Sequence, residues 1–467
     1  MALGKRPESR QEEMWVAAGD LARSPGHPFY DRLAAVLKAA DFDRRAEEIC
    51  APCYADGKGR PSIPPGTYFR MLMVGYFEDL PSQRGIAWKC ADSLAARDFL
   101  GLRPGEAAPD HSSLTRIRQR LPFEAHLELF NMVLGVAREH GLLKGRTVAV
   151  DSTTIEANAS MRSIRRKADG KTQRQHLEAL AKESGVETPT AEDLARFDRQ
   201  RKKKVSNKEW ESAADPDARI AKMKDGRTRM AYKAEHAVDL DTGLVLAALA
   251  LRADAGDTAT LLETLAQAQL NSSEAGCEES VAELVADKGR NKVELLELLE
   301  SLGVRAYIPD RKGKRRWTDK PEGWEKAFRA NRRRCGGERG KRLGRKRTEV
   351  VERGFAHVCD SGGARRTWLR GLQEVGKRHL IAVAGHNLGL VMRCLFGAGK
   401  PRAFADLAAA LRRPFGLFNA WHWPRSARRG ARARRPARSL GFQGFRKKLA
   451  QELSSSRTAF EWLALAA

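Results

Sequence analysis

Apolar residues recur three and four positions apart over residues 31–37 and again over 69–77, the spacing that puts them on one face of a helix. Pro64-Pro65-Gly66 starts the second of these helices. Asp110-His111-Ser112-Ser113 offers an N-cap to a third, over residues 114–121, which carries Arg116, Arg118 and Arg120. Residues 1–145 therefore read as an all-helical unit. At Arg146 the period changes. Thr147-Val148-Ala149-Val150 is a short β-branched run that ends at Asp151. Residues 232–238 alternate, Asp239-Leu240-Asp241-Thr242-Gly243 turns the chain, and 244–251 return, which predicts a hairpin. A further apolar run over 281–286 ends at Asp287. A helix is expected over 293–302 and another strand over 304–308. Strands mixed with helices, opening on a hairpin, predict an α/β sheet with an antiparallel part.

Two polar stretches interrupt this pattern. Residues 161–229 are rich in Lys, Arg, Glu and Gln, with Lys202-Lys203-Lys204 in the middle, and read as an inserted helical or flexible segment outside the core. Residues 311–347 hold 17 Lys and Arg, with Trp317, Trp324 and Phe328 among them. Such charge suits a surface that follows a phosphate backbone. The aromatics suit either stacking on unpaired bases or pinning the segment to the protein. A helix over 348–358 follows, its apolar stripe broken by Glu352, and then an apolar helix over 381–395. Beyond residue 400 the chain turns rich in Arg and Ala, and a poorly ordered basic tail is expected over 401–467.

Composition adds a partner to this outline. The chain has 467 residues, enough for two to four folded units. Lys and Arg number 85 against 59 Asp and Glu, a formal charge of +26. An excess of this size calls for a polyanion: DNA, RNA or an anionic membrane. The N-terminal segment lacks the apolar core of a signal peptide, and no transmembrane helix is expected, which makes a membrane the weakest of the three and a cytoplasmic setting the natural one. Seven scattered cysteines, Cys50, Cys53, Cys90, Cys277, Cys335, Cys359 and Cys394, fit a reducing compartment. Cys50 and Cys53 have the spacing of half a zinc site but no second pair at ligand spacing nearby, so two half-buried thiols are the favoured reading.

Asp151 and Asp287 each end an expected strand, where a side chain is held rigidly yet opens onto a cleft. Paired carboxylates of this kind answer to a cation, and hard oxygen donors suit Mg²⁺ or Mn²⁺. Two ions about 3.5–4 Å apart would activate an attacking oxygen and stabilise a leaving one. Glu352, on a helix beside Arg353, is the candidate third ligand. Asp239, Asp241, Asp254 and Asp257 compete for the second position, and spacing alone does not choose among them.

Val148-Ala149-Val150-Asp151-Ser152-Thr153-Thr154, Val285-Ala286-Asp287-Lys288-Gly289 and Val351-Glu352-Arg353-Gly354-Phe355 resemble the three acidic motifs of bacterial insertion-sequence DDE transposases. Residues 63–121 resemble the helical N-terminal domain of such proteins. Asp215-Pro216-Asp217-Ala218, residues 231–236, Asp254-Ala255-Gly256-Asp257, residues 362–367 and Gly385-His386-Asn387-Leu388 also fit, so that the likeness spans about residues 28–400. The resemblance implies an RNase H-like catalytic core with inserted polar segments over 146–400, preceded by an all-α DNA-binding domain. It implies Asp151, Asp287 and Glu352 as catalytic and metal-binding residues, two Mg²⁺ or Mn²⁺ ions, double-stranded DNA as substrate and a homo-oligomer on that DNA. Water would first free a 3′-hydroxyl at each element end, and that hydroxyl would then attack target DNA. No nucleotide cofactor is implied. Arg116, Arg118, Arg120, Arg347, Arg353, Arg365 and Arg366 are the candidate DNA contacts.

Three features depart from the family pattern. Arg345, Thr348 and Cys359 stand where related families place Tyr, Arg and Lys around the glutamate. Arg290 stands where an aromatic is usual after the second aspartate. The residues after 400 do not resemble the usual end. A transposase-derived DNA-binding protein without catalysis is therefore the alternative, and a general RNA-binding protein a more distant one.

Overall fold

A computed structural model describes residues 26–55, 62–103, 105–185, 188–200, 205–223, 225–310 and 316–404. Lys202, Lys203, Lys204 and the tail beyond Phe404 lie outside the described residues.

Seven α-helices come first: α1 (Pro28–Ala39), α2 (Phe42–Cys50), α3 (Pro65–Phe77), α4 (Gln83–Asp92), α5 (Leu94–Phe99), α6 (His111–Arg120) and α7 (Phe123–Glu139). Their starts follow the expected chemistry. Ser82, Ser93 and Asp110 each accept a backbone N–H of the first turn, and Pro65 occupies the start of α3. The sheet strands follow, with two small strands, β2 (Ile164–Arg166) and β3 (Trp210–Ser212), paired apart from it.

The main sheet has β1 (Thr147–Glu156) at its centre. β5 (Thr228–Asp239) runs antiparallel along one edge of β1, and β7 (Glu283–Ala286) runs parallel along the other. β8 (Arg305–Tyr307) extends the parallel side. The outer edge of β5 is taken by β6 (Val245–Arg252) and β4 (Arg219–Lys222), both antiparallel. The expected hairpin is β5–β6. β4 is not foreseen by the sequence pattern: it belongs to the polar stretch 161–229 yet pairs in the main sheet, so that stretch is only partly an insertion. The rest of it forms α8 (Gln173–Glu183) and α9 (Ala191–Gln200), which bury Leu177, Ala181 and Leu194 against one another.

Helices cover both faces. α10 (Asp257–Glu274) packs on β6, β5 and β1, and α11 (Val293–Ser301) links β7 to β8. The basic stretch becomes α12 (Glu322–Gly336) and α13 (Glu338–Phe355), which runs on into a π-helical turn, Ala356–Asp360. Trp317 packs on Phe328 at 5.2 Å, and Trp324 leans on the core, so these aromatics pin the segment to the protein. α14 (Leu372–Phe396) closes the fold. By length and composition a helix over Leu372–Phe404 is apolar enough to cross a membrane, but two thirds of its most apolar window is buried inside the protein, as a core helix would be.

α14 joins the two parts of the chain. It packs on β6 from one side and on α7 and α3 from the other. Gly385 makes this approach possible: a Cβ there would lie 2.7 Å from the Tyr76 ring of α3. Asn387 accepts from the Val245 N–H at 3.0 Å and donates to its carbonyl at 2.9 Å, locking the helix to the start of β6. One apolar cluster consequently runs from Phe29 to Phe404 through helices and sheet alike.

Candidate active site

Asp151 sits in the middle of β1, not at its end. The strand continues to Glu156 because β5 keeps pairing with it. On the other edge β7 stops at Ala286, level with Val150, and leaves the flank of Asp151 open. Asp287 follows directly on β7 and starts a short 3₁₀ turn, Lys288–Arg290. The parallel register thus brings two aspartates that are remote in sequence onto neighbouring strands.

Arg347 of α13 reaches both. Its Nη1 is 2.5 Å from Asp151 Oδ2, and its Nη2 is 3.9 Å from Asp287 Oδ1. The guanidinium is half-buried, while both carboxylates keep contact with solvent. A second arginine two turns earlier fixes the helix. Arg339 donates to both oxygens of the buried Glu283, at 3.1 and 2.5 Å, so α13 is tied to the start of β7 as well as to its end.

Glu352 is not part of this group. It is exposed on α13, about 140° around the helix from Arg347 and roughly 160° from Val350. Val350 and Lys346 lean on the β5–β6 turn, against Gly243 and Asp241. Glu352 therefore occupies the opposite flank, where Arg345 precedes it by two turns. Among the described residues, no group of three His, Cys, Asp or Glu side chains lies close enough to hold a metal ion. Asp151 and Asp287 offer hard oxygen donors on one open flank, the donor type that a divalent cation of the Mg²⁺ class takes, without a third such side chain beside them among the described residues.

The competing aspartates have other partners. Asp239 is buried and accepts three backbone N–H groups, from Lys144, Gly145 and Asp241, as a clamp on the hairpin. Asp241 pairs with Lys346, and Asp254 lies 3.3 Å from Arg219. Asp257 sits close to β1, where Ser152 Oγ donates to it at 3.1 Å. Cys50 is buried, its thiol pushed up to about 12 chiefly by burial, and it belongs to no metal-holding group among the described residues.

The arginines expected to touch DNA divide. Arg116 and Arg120 are exposed, Arg120 lying over the Tyr54 ring. Arg118 requires correction: it is buried, with its Nε 2.5 Å from Glu374 of α14. Leu114, Ile117, Arg118 and Leu121 are spaced as a helical apolar stripe, which carries Arg118 inward. Arg353 pairs with Glu349 on the surface. Arg365 is held by Asp360 and Thr153, and Arg366 is exposed near Glu156.

Two buried clusters near the aspartates have no counterpart in the sequence reading. On the face of Asp151, its register partner His236 stacks on Phe355 and places its Nε2 2.7 Å from Nε2 of His379. One ring must donate and the other accept, so at least the accepting ring is neutral. Burial holds both below the ordinary 6.5, with His379 at about 4. On the opposite face, Lys233, Glu235, Asp257 and Arg290 form an ion network. Burial would raise the Glu235 carboxyl, but Arg290 and Lys233 outweigh it and hold it below its ordinary value. The clue to Arg290 is its departure from the aromatic usual in relatives; nothing in a three-residue turn announces burial.

Comparison with known families finds two transposase domains in the chain. Residues 20–120 match the Transposase domain (DUF772), and residues 305–392 match the Transposase DDE domain. Glu352 lies inside the second match, whereas Asp151 and Asp287 lie between the two. No curated protein and no solved structure matches the chain. With a transposase helical domain ahead of a DDE domain, the chain is similar to the insertion-sequence DDE transposases over those two stretches.

Proposed function

We propose that this transposase binds the ends of an insertion sequence and cuts and rejoins DNA there, using a divalent cation held by Asp151 and Asp287. The observation that carries the reading is the meeting of Asp151 and Asp287, from distant parts of the chain, on adjacent strands around a shared guanidinium. A central strand with antiparallel neighbours on one side and parallel ones on the other supports an RNase H-like core. When bound, Mg²⁺ or Mn²⁺ would lower the pKa of an attacking water or hydroxyl and offset charge on the leaving oxygen.

The chain's own residues do the rest. Asp151 and Asp287 are oriented by the register of β1 and β7. Arg347 neutralises their repulsion before the cation arrives, and is then free to contact the scissile phosphate. The flank of α13 that bears Glu352 also bears Arg342 and Arg345, both exposed and without an ion-pair partner among the described residues. Together with Arg116, Arg120, Arg353 and Arg366 they would follow the DNA backbone. Hydrolysis at an element end breaks a phosphodiester and leaves a 3′-hydroxyl. Attack of that hydroxyl on target DNA exchanges one phosphodiester for another.

The test is a cleavage assay on DNA carrying the element ends, with Mg²⁺ or Mn²⁺. The wild-type protein should release 3′-hydroxyl ends, and Asp151→Asn should abolish release while retaining DNA binding. The position of Glu352 outside the aspartate pair favours one second reading, a DNA-binding protein without catalysis. Salt-sensitive end binding with no metal-dependent cutting by the wild type would establish that reading instead.

A further inference from the structure

We propose that Arg290, Glu235 and Asp257 are positioning residues that fix the separation of Asp287 and Asp151, so that the two carboxylates engage a divalent cation as a pair. The inference rests on the metal reading above and concerns side chains that do not touch the cation.

A continuous path joins the two aspartates behind the sheet. Arg290 closes the turn that begins at Asp287, its N–H donating to the Asp287 carbonyl at 3.0 Å. Its guanidinium then runs inward, leaving the residue 2% exposed. Nη2 donates to Glu235 Oε2 at 2.8 Å, and Nη1 donates to the Asp257 carbonyl at 2.8 Å. The Asp257 carboxylate accepts from Ser152 Oγ at 3.1 Å, and Ser152 is bonded directly to Asp151. Glu235 is the register partner of Ser152 across β1 and β5. Every link between the two aspartates is thus a hydrogen bond or covalent chain.

The network is closed as well as continuous. Lys233 Nζ lies 2.9 Å from Glu235 and 2.8 Å from Asp257. Thr260 and Thr264 of α10 donate to Glu235 at 2.9 and 2.6 Å. Two cations face two carboxylates, and none of these side chains has a buried atom without a partner among the described residues. A fully satisfied polar network in a low-dielectric setting is rigid.

Stability alone does not account for it. A buried ion network is a weak stabiliser, and well-packed apolar residues of similar size commonly serve as well. What an apolar replacement would not supply is direction: a guanidinium fork fixes both its acceptors in angle and distance. Groups that orient metal-binding side chains from behind typically govern metal affinity by about 10–100-fold.

The experiment measures Mn²⁺ binding to the purified full chain, without DNA, by electron paramagnetic resonance and calorimetry. Wild type should bind Mn²⁺ and Asp287→Asn should not. The double variant Arg290→Met, Glu235→Leu removes the two central members together and leaves Lys233 paired with Asp257, so no charge is left alone. It should melt close to wild type yet bind Mn²⁺ about 10–100-fold more weakly. Arg290→Lys, which keeps the charge but not the fork, should recover part of that loss. A folded double variant with wild-type Mn²⁺ affinity overturns the inference. Should the double variant not fold, Asp257→Ala decides: its side chain is half-exposed, the substitution removes the acceptor of Ser152 Oγ, and unchanged Mn²⁺ affinity there overturns the inference equally. Wild type that lacks Asp287-dependent Mn²⁺ binding would instead bring down the metal reading itself, and this inference with it.

Discussion

The two faces of the central sheet treat charge in opposite ways. Behind it, under α10, Lys233, Glu235, Asp257 and Arg290 are gathered into a neutral set in which each partner satisfies another. In front, under α13 and α14, Asp151 and Asp287 share one half-buried arginine and remain open to solvent, and beneath them lie two histidines whose Nδ1 atoms have no partner among the described residues. A buried charge must be compensated within the protein, whereas a carboxylate at a water-filled edge can wait for a ligand. The back face is therefore finished on folding, and the front face is finished only on binding.

The largest expected effect tests the back face. Glu235→Leu leaves Arg290 and Lys233 without their buried acceptor and should cost about 3–5 kcal/mol in urea denaturation. Asp151→Asn on the front face should leave stability near wild type. Equal losses from both would erase the contrast. Next comes acid. His379 has its folded value lowered to about 4 from 6.5, so between those values the unfolded chain binds more protons and stability falls as pH falls. His379 alone accounts for roughly 3 kcal/mol by pH 4. Glu235 and Asp257 are lowered too, but for acids that means stability retained until the pH drops through the ordinary carboxylate range. The melting temperature of wild type should therefore decline between pH 6.5 and 5 through His236 and His379 together with the buried His126 and His386, which burial lowers to about 4 and about 3, and His236→Phe, His379→Phe should make that decline shallower. A slope unchanged in the double variant would assign the acid sensitivity elsewhere.

Smaller effects sharpen the front face. Arg347→Ala removes a cation that competes with metal for the aspartates. A partly buried pair with access to solvent is worth at least about 1 kcal/mol, so Mn²⁺ binding should tighten roughly fivefold or more in calorimetry. Weaker binding would show that Arg347 holds the aspartates in place instead. Arg342→Ala and Arg345→Ala should each lower the slope of log affinity for DNA against log salt by about 1. Arg118→Ala should leave that slope unchanged, because its guanidinium is committed to Glu374.

The sequence yielded whatever depends on short-range periodicity or on one motif. The helical start, the β5–β6 hairpin, the run into Asp287 and the apolar α14 are all legible as patterns of spacing. What escapes depends on pairing across the fold. Nothing in Thr147-Val148-Ala149-Val150 shows that β1 continues past Asp151, since Ser152 and the threonines after it are kept in the strand by β5. β4 is a short strand inside a polar stretch, and only its register with β5 makes it part of the sheet. Arg118 is legible in retrospect: its place on the stripe of Leu114, Ile117 and Leu121 is visible, but its charge suggests a surface. Arg290 and His236 meet their partners across large gaps in the chain, at Glu235 and His379, beyond any local signal.

The position of α14 sets a timetable for the chain as it is made. The first helices end at Glu139, yet the helix that covers α3 and α7 begins only at Leu372, after every strand of the sheet. At ribosomal speeds that interval is roughly 10–50 s. Throughout it, the apolar side of α3, with Tyr76 and Phe77, waits without its permanent neighbour while the whole sheet is translated. A gene copy truncated ahead of Leu372 would thus deprive its oldest helices of their cover, and its product should be recognised by chaperones and proteases even though α1 to α7 are intact.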